Sequence, residues 1–252
     1  MKLLSIVIPA YNEEKFIGEL LECVSRVDTR PLGFEKEILV VNDGSTDATE
    51  SIARRFEAAG VKCFTQVPNQ GKGRAVRRGI AEARGDYILV QDADLEYDPA
   101  DYLPLLRALD TGADSIYGSR ILGQIRARGW SIFPGKHPAQ GLGPWLAGVV
   151  LSVWVLVLYG RWITDTLTAY KLYPAKVIKS MKLETSGFET DHEITSKMIH
   201  AGLRIAEVPI AYRPRSHAEG KKIKARDGLI AIWTFLRFRV GQASGLSVRK
   251  EL

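Results

Sequence analysis

The chain has 252 residues, an apolar fraction of 46% and a formal net charge of +6. This composition excludes a disordered or fibrous chain and predicts one large globular domain, or a domain with a substantial tail. Cys23 and Cys63 lack the spacing of a metal site or a CxxC motif, so we expect reduced thiols, and the N-terminus shows no signal-peptide pattern.

The positive charge is concentrated near the C-terminus. Residues 213–252 contain ten Lys or Arg and three Asp or Glu, whereas the first 212 residues contain 25 basic and 26 acidic side chains. Such a segment suits an anionic partner such as lipid head groups, pyrophosphate or nucleic acid. A merely solvated basic tail is the alternative.

Apolar runs and helically spaced apolar residues alternate over the first half of the chain. They predict strands at residues 3–8, 37–41, 61–67, 87–91 and 115–118. Between them they predict helices at residues 13–27, 45–59, 71–83 and 102–109. This alternation predicts an α/β fold, with a mostly parallel sheet and helices on both of its faces.

The pattern changes after Ser119. Residues 123–143 are rich in Gly, Arg and Pro, which predicts a mobile loop. Residues 142–160 carry no charged side chain, and Pro144 predicts the start of a helix that runs to Tyr159. That helix would be about 24 Å long, short of a hydrocarbon core of about 30 Å. We expect it to lie in the membrane interface or against a partner; a buried core helix and a true span are the alternatives.

The last part of the chain contains further predicted elements. Strands are predicted at residues 166–173 and 203–212, and helices at residues 191–201 and 223–240. The last helix is basic and amphipathic, which is typical of a membrane surface; Trp233, Phe235, Leu236 and Phe238 lie among its Lys and Arg residues. We therefore divide the chain into a domain of residues 1–215, including an interfacial helix at about 144–160, and a membrane-associating segment of residues 216–252.

Asp92, Asp94 and Glu96 follow the fourth predicted strand at alternate positions. In an extended segment such side chains point the same way, and ligands bind beyond the carboxyl ends of the strands in an open α/β sheet. Carboxylates are the ligands that Mg²⁺ and Mn²⁺ prefer. The pattern predicts a divalent metal site; a solvated acidic turn before a helix that Pro99 starts is the alternative.

Polar residues also follow the first two predicted strands. Tyr11 suits stacking on a flat base, and Glu13 suits the polar edge of that base. Asp43 suits a base or a ribose hydroxyl. A helix start and a tight turn are the alternative interpretations of these segments.

Gly71, Lys72 and Gly73 open the third predicted helix, where an anion is bound well. No Ser or Thr follows Lys72, so the loop is not a Walker A motif. Val76 stands where a dinucleotide fingerprint requires glycine. The loop therefore argues against an ATPase and against an NAD enzyme.

Five motifs occur in the order seen in inverting glycosyltransferases of family 2, and the chain resembles the dolichyl- or polyprenyl-phosphate sugar (mannose or glucose) synthases. The resemblance covers about residues 3–239. It implies the GT-A fold, a GDP- or UDP-linked sugar donor, Mg²⁺ or Mn²⁺, an isoprenoid phosphate acceptor and attachment to the cytoplasmic face of the membrane. The motifs are Ala10-Tyr11-Asn12-Glu13, Asn42-Asp43-Gly44-Ser45-Thr46-Asp47, Asn69-x-Gly71-Lys72-Gly73, Gln91-Asp92-Ala93-Asp94 and Tyr117-Gly118-Ser119-Arg120.

The resemblance also implies roles for individual residues. Asp92 and Asp94 match the metal ligands, and Glu96 stands where the family often has Gln or another polar residue. Arg120, with Arg126 or Arg128, matches the cationic groups around the acceptor phosphate. The residues that we assign to the nucleotide-sugar site are Pro9, Tyr11, Glu13, Val41, Asp43, Lys72, Asp92, Arg213, Arg215 and Lys221; which arginine of the late basic loop acts stays open.

The predicted reaction is one in-line displacement at the anomeric carbon. A lipid phosphate acceptor is already ionised and needs a cationic cradle, whereas a hydroxyl acceptor, as in ceramide or diacylglycerol, needs a carboxylate base. Asp191 is our candidate base and Glu193 the second, with His192 on the helix surface. A non-catalytic, membrane-bound scaffold of the same fold is the other alternative.

Two further expectations concern partners. We expect membrane attachment through residues 144–159 and 223–240, through a membrane-anchoring partner or through a homo-oligomer. The aromatic residues of the basic segment have helical spacing, which suits a lipid interface better than a base-stacking groove. We therefore expect no nucleic-acid partner.

Overall fold

The computed structural model describes residues 1–129, 131–215 and 225–241. The strands are β1 Lys2–Ala10, β2 Phe34–Asn42, β3 Val61–Thr65, β4 Tyr87–Val90, β5 Ser115–Ser119, β6 Lys171–Pro174 and β7 Ile205–Pro209. The helices are α1 Ile17–Arg26, α2 Thr49–Arg54, α3 Lys72–Glu82, α4 Tyr102–Arg107, α5 Arg120–Arg128, α6 Leu142–Tyr159, α7 Ala175–Ser180, α8 Thr190–His200 and α9 Ala225–Val240.

Within the described ranges the strands form one sheet in the order β3-β2-β1-β4-β6-β5-β7. Every neighbouring pair is parallel except those of β6, which runs antiparallel to β4 and β5. The reversed strand starts at the edge of the sheet where its parallel neighbours end. The predicted mostly parallel α/β fold is confirmed.

Both faces of the sheet are covered, as expected of parallel strands with near-continuous apolar sequences. Along β1, Leu4, Ile6 and Ile8 join the core layer beneath α1 and α4, whereas Val7 joins the layer beneath α3, α6, α8 and α9. The alternation follows from the two-residue period of a strand. It leaves only the ends of the strands free to build a site.

The mobile loop predicted at residues 123–143 is wrong for its first part, because α5 occupies it. Ser119 caps this helix, since its hydroxyl accepts a hydrogen bond from the N–H of Leu122 at 3.1 Å. Gly123 lets α5 lie on the chain after β7: a Cβ there would be 1.9 Å from the carbonyl oxygen of Ile210. The glycine that we took as a loop signal is a packing requirement.

The strand predicted at residues 166–173 is mostly wrong, since only its last part belongs to β6. The N–H of Tyr170 is bound by the Thr168 hydroxyl at 3.2 Å, and that of Ala169 by the Tyr97 hydroxyl at 3.2 Å. These backbone donors are therefore satisfied by side chains. β7 is also shorter than the predicted strand. The helix α7 was not predicted.

α6 begins at Leu142, two residues before the predicted start at Pro144. Among the described residues it is the one helix whose length and mean hydropathy, 18 residues and 2.0, would suffice to cross a membrane. Only 17% of it is buried inside the protein. Ser152 and Val155 lie on the side of the helix that faces the sheet.

α9 packs against α6, which corrects our expectation for its aromatic residues. The indole N–H of Trp154 donates to the carbonyl of Ile232 at 3.1 Å, and the Tyr159 hydroxyl donates to the carbonyl of Phe235 at 2.7 Å. Phe235 and Phe238 are buried in the core, whereas only Trp233 is widely exposed among the three aromatic residues of the helix. Residues 216–224 lie outside the described residues, so the domain boundary at 215 stays a prediction.

Candidate active site

The candidate site lies at the edge of the sheet where β1, β2 and β4 end. The strand register places Ala10 beside Asn42 and Val7 beside Val90 at this edge. Because β6 runs in the opposite direction, its first residue, Lys171, lies at the same edge. This is the edge at which open α/β sheets bind ligands.

The acidic segment after β4 is a turn, not the extended segment that we expected. Leu95 has a φ of 57°, in the left-handed region, which reverses the chain between Asp94 and Glu96. Lys72 meets Asp92 and Arg215 meets Asp94, and the two carboxylates stay close enough for the charge of Asp92 to act on Asp94. Among the described residues no three acidic, His or Cys side chains stand close enough to form a metal site unaided.

Arg215 lies between carboxylates that the sequence distributes over separate motifs. Its Nη2 is 2.6 Å from Asp94 Oδ2, and its Nη1 is 3.1 Å from Glu13 Oε2. Its Nε is 3.7 Å from Glu96 Oε1, and the guanidinium lies 5.4 Å from the centre of the Phe16 ring. The structure therefore brings together two predicted donor-site residues and two predicted metal ligands.

Residues 211–215, which we call the strap, cross the acidic turn and are fixed to it by Glu96. Its Oε1 accepts the N–H of Arg215 at 2.8 Å, and its Oε2 accepts the hydroxyl of Tyr212 at 3.0 Å. The backbone carbonyl of Glu96 accepts the N–H of Arg213 at 2.9 Å. Both carboxylate oxygens of Glu96 thus hold the strap, and its role as a metal ligand stays a prediction.

Negative charge is crowded around Asp94. Burial raises the pKa of Asp94 to about 7, and the charges of Asp92 and Glu96 add to the rise, while Arg215 opposes it. A carboxyl group in such surroundings is stabilised by a further cation. Asp92 and Asp94 supply hard oxygen ligands in the number that Mg²⁺ usually takes from protein. The residues therefore fit Mg²⁺ or Mn²⁺, which would compete with Lys72 and Arg215 for them.

Lys72 connects the acidic turn to α8. Its Nζ is 2.6 Å from Asp92 Oδ1 and 3.9 Å from Asp191 Oδ2. Burial lowers the pKa of Lys72, but Asp92 and Asp191 outweigh this effect and raise it above the ordinary value. Lys171 approaches the other side of Asp191, with its Nζ 3.8 Å from Oδ1. The predicted base, Asp191, is therefore flanked by two lysines.

The neighbours of Asp191 do not serve as bases in this structure. His192 is buried against the Phe235 ring, 5.1 Å between ring centres, so its predicted place on the helix surface is wrong. Burial, together with Lys171, lowers the pKa of His192 to about 3, which keeps the ring neutral. Glu193 is fully buried and accepts hydrogen bonds from Lys197 and from backbone N–H groups, so it has no access to a substrate.

Asp43 fixes the Gly-rich loop that presents Lys72. Its Oδ1 accepts the N–H of Gln70 and its Oδ2 the N–H of Gly71, both at 2.8 Å. Gly71 has a φ of 94°, and a Cβ there would lie 2.6 Å from the carbonyl oxygen of Ser186. Only glycine fits this approach of the loop to the chain before α8. The predicted contact of Asp43 with a nucleotide stays a prediction.

The other predicted nucleotide-binding residues lie around the ends of β1 and β2. Pro9 and Val41 are buried and lie opposite each other in the register of the two strands. Tyr11 is exposed beyond the end of β1, and Glu13 is buried at Arg215. These positions are compatible with a nucleotide at this edge, and their individual roles stay predictions.

Arg120 is held by Asp165, which sequence reasoning missed. The backbone N–H and Nε of Arg120 donate to Asp165 Oδ2 at 3.0 and 2.7 Å, and Nη2 donates to Oδ1 at 2.8 Å. Burial raises the pKa of Asp165, but Arg120 outweighs this and holds it below its usual value. The guanidinium lies 4.8 Å from the centre of the Tyr212 ring, so Arg120 contacts the strap through this ring.

Arg126 and Arg128 are exposed in the last turn of α5, as expected of side chains that meet a ligand from solvent. Burial lowers the pKa of His137, and the charge of Arg128 lowers it further. The His137 ring packs on Tyr212, with 6.2 Å between ring centres. The roles of Arg126 and Arg128 at an acceptor phosphate stay predictions, and Lys221 lies outside the described residues.

Lys171 was also missed, although the sequence carries a signal for it. It interrupts the apolar run of residues 169–173, whose strand is buried on both faces. A charged residue in such a strand is rarely tolerated unless it is paired. No comparable signal marks Asp165, which lies in an ordinary polar loop before β6.

The outer sides of α6 and α9 carry exposed apolar residues, which we call the outer apolar face. Val157 is 68% exposed and Trp233 61%. Exposed apolar surface of this extent is typical of a contact with a membrane or a partner. Its other residues are Leu142, Leu146, Val150, Val153, Leu229 and Ile230.

Comparison with protein families finds one match over the first half of the chain. Residues 5–137 match the model described as Glycosyl transferase family 2. The matched range contains most of β1, all of β2 to β5 and the acidic turn.

Curated relatives match nearly the whole chain. A dolichyl-phosphate beta-glucosyltransferase of Drosophila melanogaster is 40% identical, and the alignment covers 98% of this chain and 79% of the relative. A dolichol-phosphate mannosyltransferase of Pyrococcus furiosus is 29% identical over 86% of this chain. The chain spans only 58% of the length of the Pyrococcus relative.

Solved structures share the fold. A glucosyl-3-phosphoglycerate synthase of Mycobacterium tuberculosis, crystallised with Mn²⁺, uridine diphosphate and phosphoglyceric acid, superposes with a TM-score of 0.67. The match covers 95% of this chain and 79% of that chain, at 21% sequence identity. At this identity the likeness shows the shared GT-A-like architecture.

Proposed function

Since the chain belongs to glycosyl transferase family 2, we propose that it transfers a hexosyl group from a GDP- or UDP-linked sugar to a polyprenyl or dolichyl phosphate. The transfer inverts the anomeric carbon and depends on Mg²⁺ or Mn²⁺. The names of the Drosophila and Pyrococcus relatives support the acceptor class. The Mn²⁺ and uridine diphosphate in the Mycobacterium structure support the donor and metal classes.

One observation carries the proposal. Asp92 and Asp94 lie at the ligand-binding edge of the sheet, and each is ion-paired to a cation from a distant part of the chain, Lys72 and Arg215. A nucleoside diphosphate with its divalent cation supplies both kinds of charge that this arrangement needs. The cation would take the carboxylates, and the diphosphate would take the freed ammonium and guanidinium groups.

The residues around the site suit a single displacement. An acceptor phosphate oxygen forms the new bond to the anomeric carbon while the bond to the nucleoside diphosphate breaks. When bound, the divalent cation supplies stabilisation of the negative charge on the leaving group. Lys72 and Arg215 hold the leaving diphosphate, and the exposed Arg126 and Arg128 supply positive charge for the phosphate of the acceptor.

A phosphate acceptor fits Asp191 better than a hydroxyl acceptor does. Asp191 lies within 4 Å of both Lys72 and Lys171, so its carboxylate already faces two ammonium groups. A phosphate acceptor needs no such base, because its oxygen is already ionised. The role of Asp191 is then to balance the charges of the two lysines.

We propose that the outer apolar face holds the protein at the cytoplasmic face of a membrane. Exposed apolar side chains of two packed helices supply the hydrophobic contact, and basic residues nearby, such as Arg237 and Arg239, favour anionic lipid. Trp233→Glu tests this attachment by flotation with anionic vesicles. We expect weaker binding to vesicles than for Ala59→Glu, which adds the same charge on the opposite face of the sheet; equal binding of the two would contradict the attachment.

The activity is tested by a transfer assay on membrane-reconstituted protein. UDP- and GDP-sugars are offered with Mn²⁺ and a short polyprenyl phosphate, and with ceramide in a parallel reaction. We expect a mild-acid-labile sugar lipid from one donor, absent when EDTA removes the metal. Product on ceramide alone would move the acceptor to a hydroxyl, and no product with no metal-dependent nucleotide binding would favour a non-catalytic scaffold.

A further inference from the structure

Lys171 is a buried lysine at the ligand-binding edge to which no motif and no predicted role was assigned. Its side chain has 0% exposure. Burying an ammonium group is unfavourable unless partners compensate for the lost water, and burial lowers the pKa of Lys171. The partners that Lys171 does have should therefore indicate why the lysine is there.

The contacts of the Lys171 ammonium group are few and long for a buried charge. Its Nζ donates to the carbonyl of Thr166 at 3.2 Å and lies 3.8 Å from Asp191 Oδ1. The ammonium also lies 5.3 Å from the centre of the Tyr117 ring, which is within the range of a cation–π contact. An ammonium group has three N–H donors, and the described residues give this one a single conventional hydrogen bond.

Lysines that support the fold elsewhere in the chain are held differently. Lys197 pairs with Glu193 at 2.5 Å and donates to the carbonyl of Lys182. Lys36 is held by three backbone carbonyls, those of Val24, Ser25 and Val27. Both of these ammonium groups are fixed by short hydrogen bonds, whereas Lys171 mainly faces a carboxylate of the site.

Lys171 is the inner end of a row of alternating charges. Asp191 lies between Lys171 and Lys72, at 3.8 and 3.9 Å, and Lys72 lies 2.6 Å from Asp92. With two cations at similar distances, the Asp191 carboxylate is drawn equally in both directions. Without Lys171, Asp191 would attract Lys72 alone and draw it away from Asp92.

The backbone of Asp191 is fixed from the same side. Its carbonyl accepts the hydroxyl of Thr195 at 2.9 Å, and the Thr195 hydroxyl meets the hydroxyl of Tyr117 at 3.0 Å. Tyr117 thus contacts Lys171 with its ring and supports the first turn of α8 with its hydroxyl. Asp191 is therefore held in place, so the cations decide where its carboxylate points.

We propose that Lys171 is a positioning residue, whose ammonium group balances Asp191 against Lys72 and so keeps Lys72 at Asp92. Lys171 touches no substrate itself. Its effect on turnover rests on the proposed function, in which Lys72 holds the leaving diphosphate. The row of ion pairs itself is present in the protein when no substrate is bound.

The test compares Lys171→Met with Lys197→Met, which removes another buried ammonium group, one that belongs to α8 itself. We expect Lys171→Met to lower kcat by about 10- to 100-fold, with a smaller change in KM for the donor. Lys197→Met should destabilise the protein and leave both kinetic constants near those of the wild type. Lys171→Arg keeps the charge and should recover part of the lost kcat. Equal kinetic losses in the two methionine variants would overturn the proposal.

A double-mutant cycle with Asp191→Asn separates positioning from general support of the fold. If Lys171 acts through Asp191, Lys171→Met adds little to the effect of Asp191→Asn, both on kcat and on the free energy of unfolding. Additive effects in both measurements would overturn the proposal while the transfer activity stands. If the wild type transfers no sugar, the proposed function fails, and coupling in the unfolding experiment alone then decides whether Lys171 and Asp191 act as a unit.

Discussion

Asp165 and Asp94 are both buried carboxylates that contact one arginine each, yet their environments act on them in opposite directions. Arg120 makes three hydrogen bonds to Asp165 and outweighs burial, so the pKa of Asp165 is lowered. Arg215 makes one short contact with Asp94 and does not outweigh burial and the neighbouring carboxylates, so the pKa of Asp94 is raised to about 7.

This difference separates charges that support the fold from charges that are available for a ligand. The charge of Asp165 is fully balanced within the protein, between β5 and the loop before β6. Around Asp94 the negative charge exceeds what Arg215 supplies, because Asp92 and Glu96 lie nearby. A site that binds a divalent cation needs such an excess. Changes to the two pairs should therefore affect different measured quantities.

The largest effect is expected for Asp94→Asn on catalysis. Removing a ligand of the divalent cation should lower sugar transfer by at least about 100-fold, because the leaving group loses its charge stabilisation. The free energy of unfolding at pH 8 should not fall and should rise, since burial and the neighbouring carboxylates disfavour the charge that the substitution removes. Asp110→Asn, at an exposed position, is the control and should change neither quantity. A marked loss of stability in Asp94→Asn would show that the charge of Asp94 supports the fold, as the charge of Asp165 does.

Arg120→Met should have the opposite profile, with its main effect on stability. It leaves the Asp165 carboxylate buried without its partner, which typically costs about 3–5 kcal/mol. Urea unfolding measures this, with Arg54→Met as the control for an exposed pair with Glu50, expected to cost less than about 1 kcal/mol. If Arg120→Met unfolds like the control, the Arg120–Asp165 pair does not support the fold and is free to act on an acceptor.

A smaller effect is expected for Asp101, a partly buried carboxyl group that accepts the N–H of Ala211 in the strap at 2.7 Å. Burial and the charge of Asp98 raise the pKa of Asp101 to about 6. Because this pKa is above that of the unfolded chain, about 4, the folded protein binds more protons between pH 4 and 6 and loses stability as the pH rises.

Asp101→Asn removes this dependence and keeps an acceptor for Ala211. We expect the variant to be more stable than the wild type by about 1 kcal/mol at pH 7, and the difference to disappear near pH 4. Urea unfolding at the two pH values measures the change. A variant that is less stable than the wild type at pH 7 would show that the charge of Asp101 itself supports the strap.

Most strands and helices follow from patterns that local sequence carries, whereas the order of the strands in the sheet was not predicted. Apolar runs and helix-starting residues mark β1 to β5 and the helices between them, because each element buries a periodic apolar face. The failures occur where tertiary contacts decide. Gly123 indicates a loop in the sequence but allows close packing of α5, and Phe235 and Phe238 face the core because α6 and α8 cover them.

The structure brings some of the predicted site residues together. The ion-pair partner of each residue could not be predicted from the sequence. The alternate spacing of Asp92, Asp94 and Glu96 suggested one shared direction in an extended segment, but the segment is a turn in which Leu95 adopts the left-handed conformation. Long-range ion pairs such as Arg215 with Asp94 join residues 121 positions apart, which no local pattern encodes. The same holds for Asp165, whose importance depends on Arg120 alone.

The central claim is that Asp94 has negative charge available for a divalent cation, for which Arg215 competes. Isothermal titration of Mn²⁺ without nucleotide, on the wild type, Arg215→Met and Arg213→Met, tests this claim without any assay of transfer. Arg213 belongs to the same strap, but its side chain is exposed, so it is the matched control. We predict that Arg215→Met binds Mn²⁺ about fivefold more tightly than the wild type, because an ion pair worth about 1 kcal/mol no longer has to be broken, and that Arg213→Met binds as the wild type does. Unchanged or weaker Mn²⁺ binding by Arg215→Met would contradict the claim.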